Sequence, residues 1–358
     1  MENTRVPVAL GERSYDVVIG ERLMDALIAS ARVLKPTSIF LVTDSNVGLL
    51  HADFVRNAIV ANHVFTVPAG ENSKSLRVLE GLFDDVFATR KLDRQSLVVA
   101  LGGGVVGDLA GFLAATLLRG VRCIHVPTSL LAMVDSSVGG KTAINHQTGK
   151  NLIGAFHQPV GVFCDLHFLE TLPAREYVSA IAEIVKTAAI GDADLLAYLE
   201  TNTDALLRRN PDVLRHVLAR CISFKASVVA EDEMESGRRA TLNLGHTLAH
   251  VIEAALPEEF LHGEAVAIGL VAALRLSVAH AGLDAVQARR VGDLLARFGL
   301  PVEVPAGLTT DRLLEIMASD KKRAGDVIRF IVTPEIGRAS VLPCGLDGNL
   351  AASLLGRT

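Results

Sequence analysis

The chain has 358 residues, 50% of them hydrophobic, and a formal net charge of −5. That length supports a large core and favours two domains, while the mild acidity excludes the basic footprint of a nucleic-acid or anionic-membrane partner. Cys123, Cys164, Cys221 and Cys344 stand far apart with no CxxC pair, so they read as thiols of a reducing, cytoplasmic compartment and not as a disulfide or zinc framework.

The N-terminus, MENTRVPVALGERSYD, has neither a basic start nor an apolar run, and no signal peptide is expected. VPVAL and YDVVIG, split by the turn residues GERS, predict a hairpin. SIFLVTD, HVFTVPAG, SLVVALGGG, VRCIHVPT and GVFCDL predict buried strands, with helical patterns such as SKSLRVLEGLFDDVFATRK between several of them. Strand–helix alternation implies a mostly parallel sheet covered on both faces. LVVALGGGVVGDLAGFLAATLL is apolar, but glycines and Asp108 break it, so it is not read as a membrane span. Near Pro173 the texture becomes helical and stays so to about residue 320, before a late strand pair, VIRFIVTP and RASVLP. The expected organisation is an α/β dinucleotide-binding domain over 1–172 and a mainly α-helical domain over 173–358.

Gly102, Gly104 and Gly107 have GxGxxG spacing after a strand and before a helix. Such a loop lets the backbone approach a pyrophosphate at the helix N-terminus. The acidic residue expected about 20 positions on is missing; Asp44, ending SIFLVTD and followed by Asn46, is a substitute that could hold a ribose. A purely structural glycine turn is the alternative. Residues 127–159 then gather Asp135, Lys141, Lys150 and Asn151 among small, loop-favouring residues. Lysines beside glycines and amides suit a phosphate, against the alternative of a solvated surface loop.

In the helical half, Glu183 and Lys186 share one face of an apolar helix, His246 and His250 sit one turn apart, and His262 opens a further apolar run. Each alone reads as an ion pair or a core histidine. Together with Arg239 they suggest a buried polar site, since two imidazoles and a carboxylate are a common ligand set for catalytic zinc. No HExxH occurs, so folding would have to assemble the ligands.

GGGVVGDLAGF, VPTSLLAMVDSSVGGKTAINH, GKNLIGAFHQP, AEIVKTA, LNLGHT and HGEAVAIG, in this order, closely resemble the 3-dehydroquinate synthase family, from about residue 40 to 325. The resemblance implies a homodimer with an active site in the cleft between two domains, carrying NAD and one zinc, with cobalt as an alternative. It implies conversion of 3-deoxy-arabino-heptulosonate 7-phosphate to 3-dehydroquinate and phosphate, a shikimate-pathway step. NAD would transiently oxidise one hydroxyl so that the neighbouring proton becomes removable. Phosphate elimination, re-reduction, ring opening and an internal aldol closure would follow.

By motif position, the resemblance makes Glu183, His246 and His262 the metal ligands. It assigns NAD to Asp44, Asn46, Gly70, Glu71, Lys74, Gly103, Gly104, Val105, Val106, Gly107, Asp108, Thr128, Ser129, Lys141, Lys150, Phe168, Leu169, Glu170 and Thr171. Substrate and proton-transfer roles fall to Asp135, Lys141, Asn151, Lys186, Lys225, Glu235, Arg239, Asn243, His250 and Lys321, with Arg119 reaching across the dimer. The departures are small: Ser129, Met133 and Ala249 stand where Thr, Gln and Gly are frequent. Rival readings are another sugar-phosphate cyclase, an NAD- and metal-dependent polyol dehydrogenase, and a non-catalytic nucleotide-sensing module.

Overall fold

The computed structural model describes residues 3–324, 328–344 and 348–356, with side chains throughout except at 318–324, 328, 348 and 349. The chain divides into two compact units, residues 1–172 with 214–234, and residues 173–213 with 235–358. Residues 214–234, read from the sequence as part of the second domain, therefore count with the first. The long helix Pro211–Glu231 begins in one unit and ends in the other, so no break in its pattern marks the change.

In the first unit, seven strands form one sheet: β1 (Thr4–Val8), β2 (Tyr15–Gly20), β3 (Ile39–Asp44), β4 (His63–Val67), β5 (Leu97–Gly102), β6 (Arg122–Pro127) and a further strand, Gly161–Asp165. Their spatial order is β1, β2, Gly161–Asp165, β6, β5, β3, β4, and only the β1–β2 hairpin is antiparallel. Alternate residues serve opposite faces, as the period of a strand requires. Leu41, Leu97, Val99 and Leu101 pack with Leu27, Val55 and Ile59 of two helices on one side. Phe40, Val42, Val98 and Ala100 pack with Leu79, Leu82, Leu109 and Leu113 of two others. The doubly covered sheet expected from the sequence is present. From β3 the chain goes to β4 on one side, then returns to β5 on the other. The carboxyl ends of β3 and β5 thus flank a topological switch point, the usual place for a ligand in such sheets.

Lys141–His146 (β7) and Gly149–Phe156 (β8) form an antiparallel hairpin, where the sequence had suggested an irregular loop. The hairpin covers the helix Gly104–Thr116 on one side only. Thr142 and Ile144 are buried while most of β8 is exposed, so no apolar run announces the strands. Close approach is permitted by Gly111, whose added Cβ would lie 2.4 Å from Thr142 Cγ2.

Beneath the same helix lies His125 of β6, 6% exposed, with Gly107 resting on its ring: a Cβ there would be 3.3 Å from Nδ1. Burial depresses this imidazole to about 4. The unfolded chain takes up a proton near pH 6.5 that the folded one refuses, so stability is full above pH 6.5 and falls towards pH 4. The shift corresponds to about 3 kcal/mol at most. Denaturation midpoints of wild type and His125→Gln, compared at pH 7 and pH 4.5, should show a smaller acid loss in the variant; an equal loss would reject this origin.

The second unit is built on the helices Ala174–Gly191, His246–Ala255 and His262–His280, joined by a strand pair, Ile328–Glu335 with Arg338–Cys344. His262–His280 is the one described helix long and apolar enough to cross a membrane. Twelve of its residues are buried in the core, including Val266, Ile268 and Leu270, which is the environment of a core helix.

Candidate active site

The helices of the second unit bring Glu183, His246 and His262 together. Glu183 lies in the middle of Ala174–Gly191, while each histidine is the first residue of its own helix. Glycines set the spacing. Gly245, at φ +82, precedes His246, and a Cβ on it would fall 2.7 Å from the backbone of Leu270. A Cβ on Gly263 would strike the carbonyl oxygen of Ser179 at 1.9 Å. The start of His262–His280 is braced by Glu264, which accepts from Leu261 N at 2.8 Å and is held by Arg175.

Both Nε2 atoms converge on Glu183 Oε1, at 3.6 Å from His246 and 3.4 Å from His262. One ligand atom from each residue fits within a 4.8 Å cluster. Lys186 Nζ is in ion-pair contact with Glu183 Oε2, yet neither carboxylate oxygen accepts a well-formed hydrogen bond. Burial would raise the Glu183 carboxyl, but Lys186 and the two imidazoles hold it well below the usual range. Burial, then Lys186, push His246 down to about 3, leaving it neutral. Burial opposes charge on His262 too, but Glu183 and Glu253 outweigh it and lift the ring to about 10. Two imidazoles and an anionic carboxylate with buried, unsatisfied oxygens fit a four- or five-coordinate divalent ion such as zinc or cobalt. Such an ion would displace the His262 proton and satisfy those oxygens.

Glu253, absent from the sequence-based set, lies 3.5 Å from His262 Nδ1. It occupies the position of a carboxylate that orients a metal-bound imidazole. Its signal was its place two turns after His246. His250 is exposed and meets the His246 ring edge-on at 5.6 Å between centroids. Arg239 is 1% exposed on the turn Arg238–Asn243, whose last residue directs Nδ2 to Glu235 Oε1 at 3.5 Å. Lys321 lies outside the residues whose side chains are described.

In the first unit, most of the residues expected at a nucleotide gather at the carboxyl ends of the parallel strands. Asp44 ends β3 and caps the next turn, Oδ1 accepting from Asn46 N at 2.8 Å and Val47 N at 3.0 Å. Gly103 precedes the helix Gly104–Thr116, to which no side chain supplies a cap. Its first amides, from Gly104 through Val105 and Val106, are therefore available to an anion. A Cβ at Gly103 would lie 3.3 Å from Ser129 Oγ, and one at Gly104 3.1 Å from Ser136 Oγ. Thr128 N, after β6, donates to Gly102 O at 2.9 Å. The turn Leu166–Thr171 buries Phe168 and Leu169 and exposes Glu170. There the Thr171 hydroxyl meets His51 Nε2 at 2.9 Å. Gly70, at φ +102, leads into the turn Glu71–Ser73 after β4.

Lys74 is 4% exposed and joins two sets of groups: Nζ lies 2.7 Å from Asp108 Oδ2 and contacts Asn151 Oδ1. Burial pushes the Asp108 carboxyl up, against the pull of Lys74. Lys225 Nζ donates to the Asp135 carbonyl at 2.6 Å and to its carboxylate. Lys141 and Lys150 are exposed on the hairpin, and Arg119 is exposed at the turn Leu117–Arg119.

Comparisons with known proteins agree with these features. Family models described as 3-dehydroquinate synthase N-terminal and 3-dehydroquinate synthase C-terminal match residues 64–179 and 180–323. A crystal structure of 2-deoxy-scyllo-inosose synthase complexed with carbaglucose-6-phosphate, NAD+ and Co2+ is 26% identical, covers 99% of each chain and superposes with a TM-score of 0.89. A 2-epi-5-epi-valiolone synthase from Streptomyces hygroscopicus, with NAD+ and Zn2+ bound, is 28% identical over 98% of each chain, TM-score 0.87. A probable glycerol dehydrogenase from Sinorhizobium meliloti shares the fold alone, at 17% identity, 95% coverage of each chain and a TM-score of 0.65. With both halves of the family matched in order over most of its length, the chain belongs to the 3-dehydroquinate synthase family of sugar-phosphate cyclases.

Proposed function

We propose that the protein is a 3-dehydroquinate synthase, taking 3-deoxy-arabino-heptulosonate 7-phosphate to 3-dehydroquinate and phosphate. The observation that carries this reading is the convergence of Glu183, His246 and His262 on one buried carboxylate oxygen, in a chain with an uncapped glycine-loop helix. When bound, NAD would supply reversible hydride acceptance and the metal Lewis-acid polarisation of a hydroxyl. NAD would lie along Asp44, Asn46, the Gly70–Lys74 turn, Gly103 to Asp108, Thr128, Ser129, Lys141, Lys150 and the Phe168–Thr171 turn.

The chain's own side chains would do the rest. Lys141 and Asn151 would grip the phosphate, and Arg239, with Asn243, the carboxylate, through charge-assisted contacts. Lys225 fixes Asp135 from both its carbonyl and its carboxylate, holding that acceptor for a substrate hydroxyl. Lys186 would lend its charge beside the metal ligands. Glu235 and His250 would hold or pass protons, and Lys321 would join the substrate contacts. The dense cation set suits a substrate with anions at both ends better than a sugar phosphate that lacks a carboxylate. The motif run DSSVGGK supports the same choice.

Purified protein should release phosphate from the heptulosonate phosphate with catalytic NAD, lose the activity to a chelator and regain it with zinc or cobalt. Accumulation of NADH without phosphate would favour a polyol dehydrogenase instead. Four cysteines far apart in sequence, with no CxxC pair, suit a cytoplasmic enzyme.

The proposal extends to a homodimer in which Arg119 completes the partner's site. Leu118 and Arg119 both adopt left-handed backbone, at φ +50 and +69, a conformation that costs non-glycine residues energy. The turn presents the guanidinium outward. Mixing inactive Arg119→Ala subunits with inactive His246→Ala subunits should restore one working site per mixed dimer. Subunit exchange confirmed by mass with no recovered activity would reject the crossing.

A further inference from the structure

Asn145 lies outside every role assigned above, yet it makes three hydrogen bonds, two to the Glu71–Lys74 turn and one across its own hairpin. The β7–β8 ladder pairs Ile144 with Ile153 and His146 with Gly149, skipping Asn145 at a register irregularity. The extra residues lie on β8, where Lys150, Asn151 and Leu152 stand opposite Asn145, and the irregularity leaves all of them out of the ladder. The Asn145 amide N–H donates to Lys74 O at 2.8 Å. Its Nδ2 donates to Glu71 Oε1 at 2.8 Å. Its Oδ1 accepts from Asn151 N at 2.8 Å. Asn151 itself is in the left-handed region at φ +57, a conformation asparagine tolerates, and the bond from its N–H to Asn145 Oδ1 fixes it there.

We propose that Asn145 is a positioning residue that joins the Glu71–Lys74 turn to the phosphate-binding hairpin, making cofactor and phosphate bind cooperatively. This rests on the reading that Glu71 and Lys74 serve NAD and that Asn151 serves phosphate. Its carboxamide is suited to the task because one end donates to a carboxylate while the other accepts an amide N–H. A ligand that orders either loop prepays part of the ordering of the other, and such coupling must be reciprocal.

The test measures the affinities for NAD and for inorganic phosphate calorimetrically, each with and without the other, in wild type, Asn145→Ala and Asn145→Asp. Phosphate should tighten NAD binding to the wild type by about fivefold or more. Asn145→Ala should weaken NAD by roughly tenfold and reduce the coupling, since both side-chain bonds are lost while the Lys74 Nζ–Asn151 Oδ1 contact and the Asn145 N–Lys74 O bond remain. Asn145→Asp keeps the acceptor for Asn151 but faces Glu71 with a like charge. It should bind phosphate as the wild type does while binding NAD more weakly. That split is one a general loss of structure would not give. Absence of coupling in the wild type, or coupling undiminished in both variants, overturns the positioning role. Wild-type protein that takes up no NAD at all sinks the functional reading first, and the positioning role with it.

Discussion

Glu183→Gln should leave a folded protein with its metal affinity reduced by more than about 100-fold, beyond the 10–100-fold typical of an outer-shell partner. Phosphate release should fall with it. The substitution keeps the side chain's size and removes the anion on which His246 Nε2 and His262 Nε2 converge. It also leaves Lys186, 3% exposed, beside a neutral amide. A buried ion pair that loses one partner costs about 3–5 kcal/mol, so the variant should be less stable while retaining its secondary structure. The charge of Glu183 also helps to hold the proton on His262. His262 should therefore titrate lower in the metal-free variant, which NMR of the imidazole can follow. Metal stoichiometry by elemental analysis checks the claim, and unchanged occupancy in Glu183→Gln would remove the site.

Gly104→Val should weaken NAD by roughly 100-fold, or about 2.7 kcal/mol, with metal occupancy unchanged. The first added carbon already meets Ser136 Oγ at 3.1 Å, and the branch adds bulk at the opening of an uncapped helix N-terminus. Gly104 has no positive φ. Backbone strain is therefore not the cause, and the loss should be confined to what approaches the loop. Gly81→Ala is a matched control within the helix Leu76–Ala88, where an added Cβ meets nothing within 4 Å. It should be neutral or stabilising by about 0.5–1 kcal/mol. Equal NAD affinity in Gly104→Val and wild type would place the cofactor elsewhere.

The sheet is legible in the sequence because both its faces are buried, so β3 opens on the apolar run IFLV and β5 is LVVALG, while β6 keeps enough apolar residues around His125 to read as a strand. The β7–β8 hairpin is not, because one face is exposed and its partner residues are glycine, lysine and asparagine. The three residues of the candidate metal site stand out as polar groups in apolar helices. Their convergence depends on two helix N-termini brought close at Gly245 and Gly263, which no local pattern encodes. Glu253 and Asn145 escape for a similar reason. Each contacts a site residue through space, and each looks like an ordinary polar residue in its own segment. His125 hides in a strand whose apolar neighbours mask it, and only the stacked Gly107 reveals how tightly it is enclosed. The residue types legible in sequence are thus those that break a pattern, while those that complete a contact need the fold.

The family relationship leaves the substrate as the central question, because the similar structures include enzymes named for other carbocycles. The most direct measurement is product identity by NMR, alongside phosphate release, when the purified protein with NAD and zinc meets two substrates in parallel. One is 3-deoxy-arabino-heptulosonate 7-phosphate, which carries a carboxylate; the other is glucose 6-phosphate, which does not. The account predicts 3-dehydroquinate from the first at a kcat/KM at least about tenfold above any turnover of the second, since a buried charge-assisted contact contributes about 1.5–3 kcal/mol. In Arg239→Lys that preference should shrink. A carbocyclic product from glucose 6-phosphate, with no 3-dehydroquinate from the heptulosonate, would contradict it.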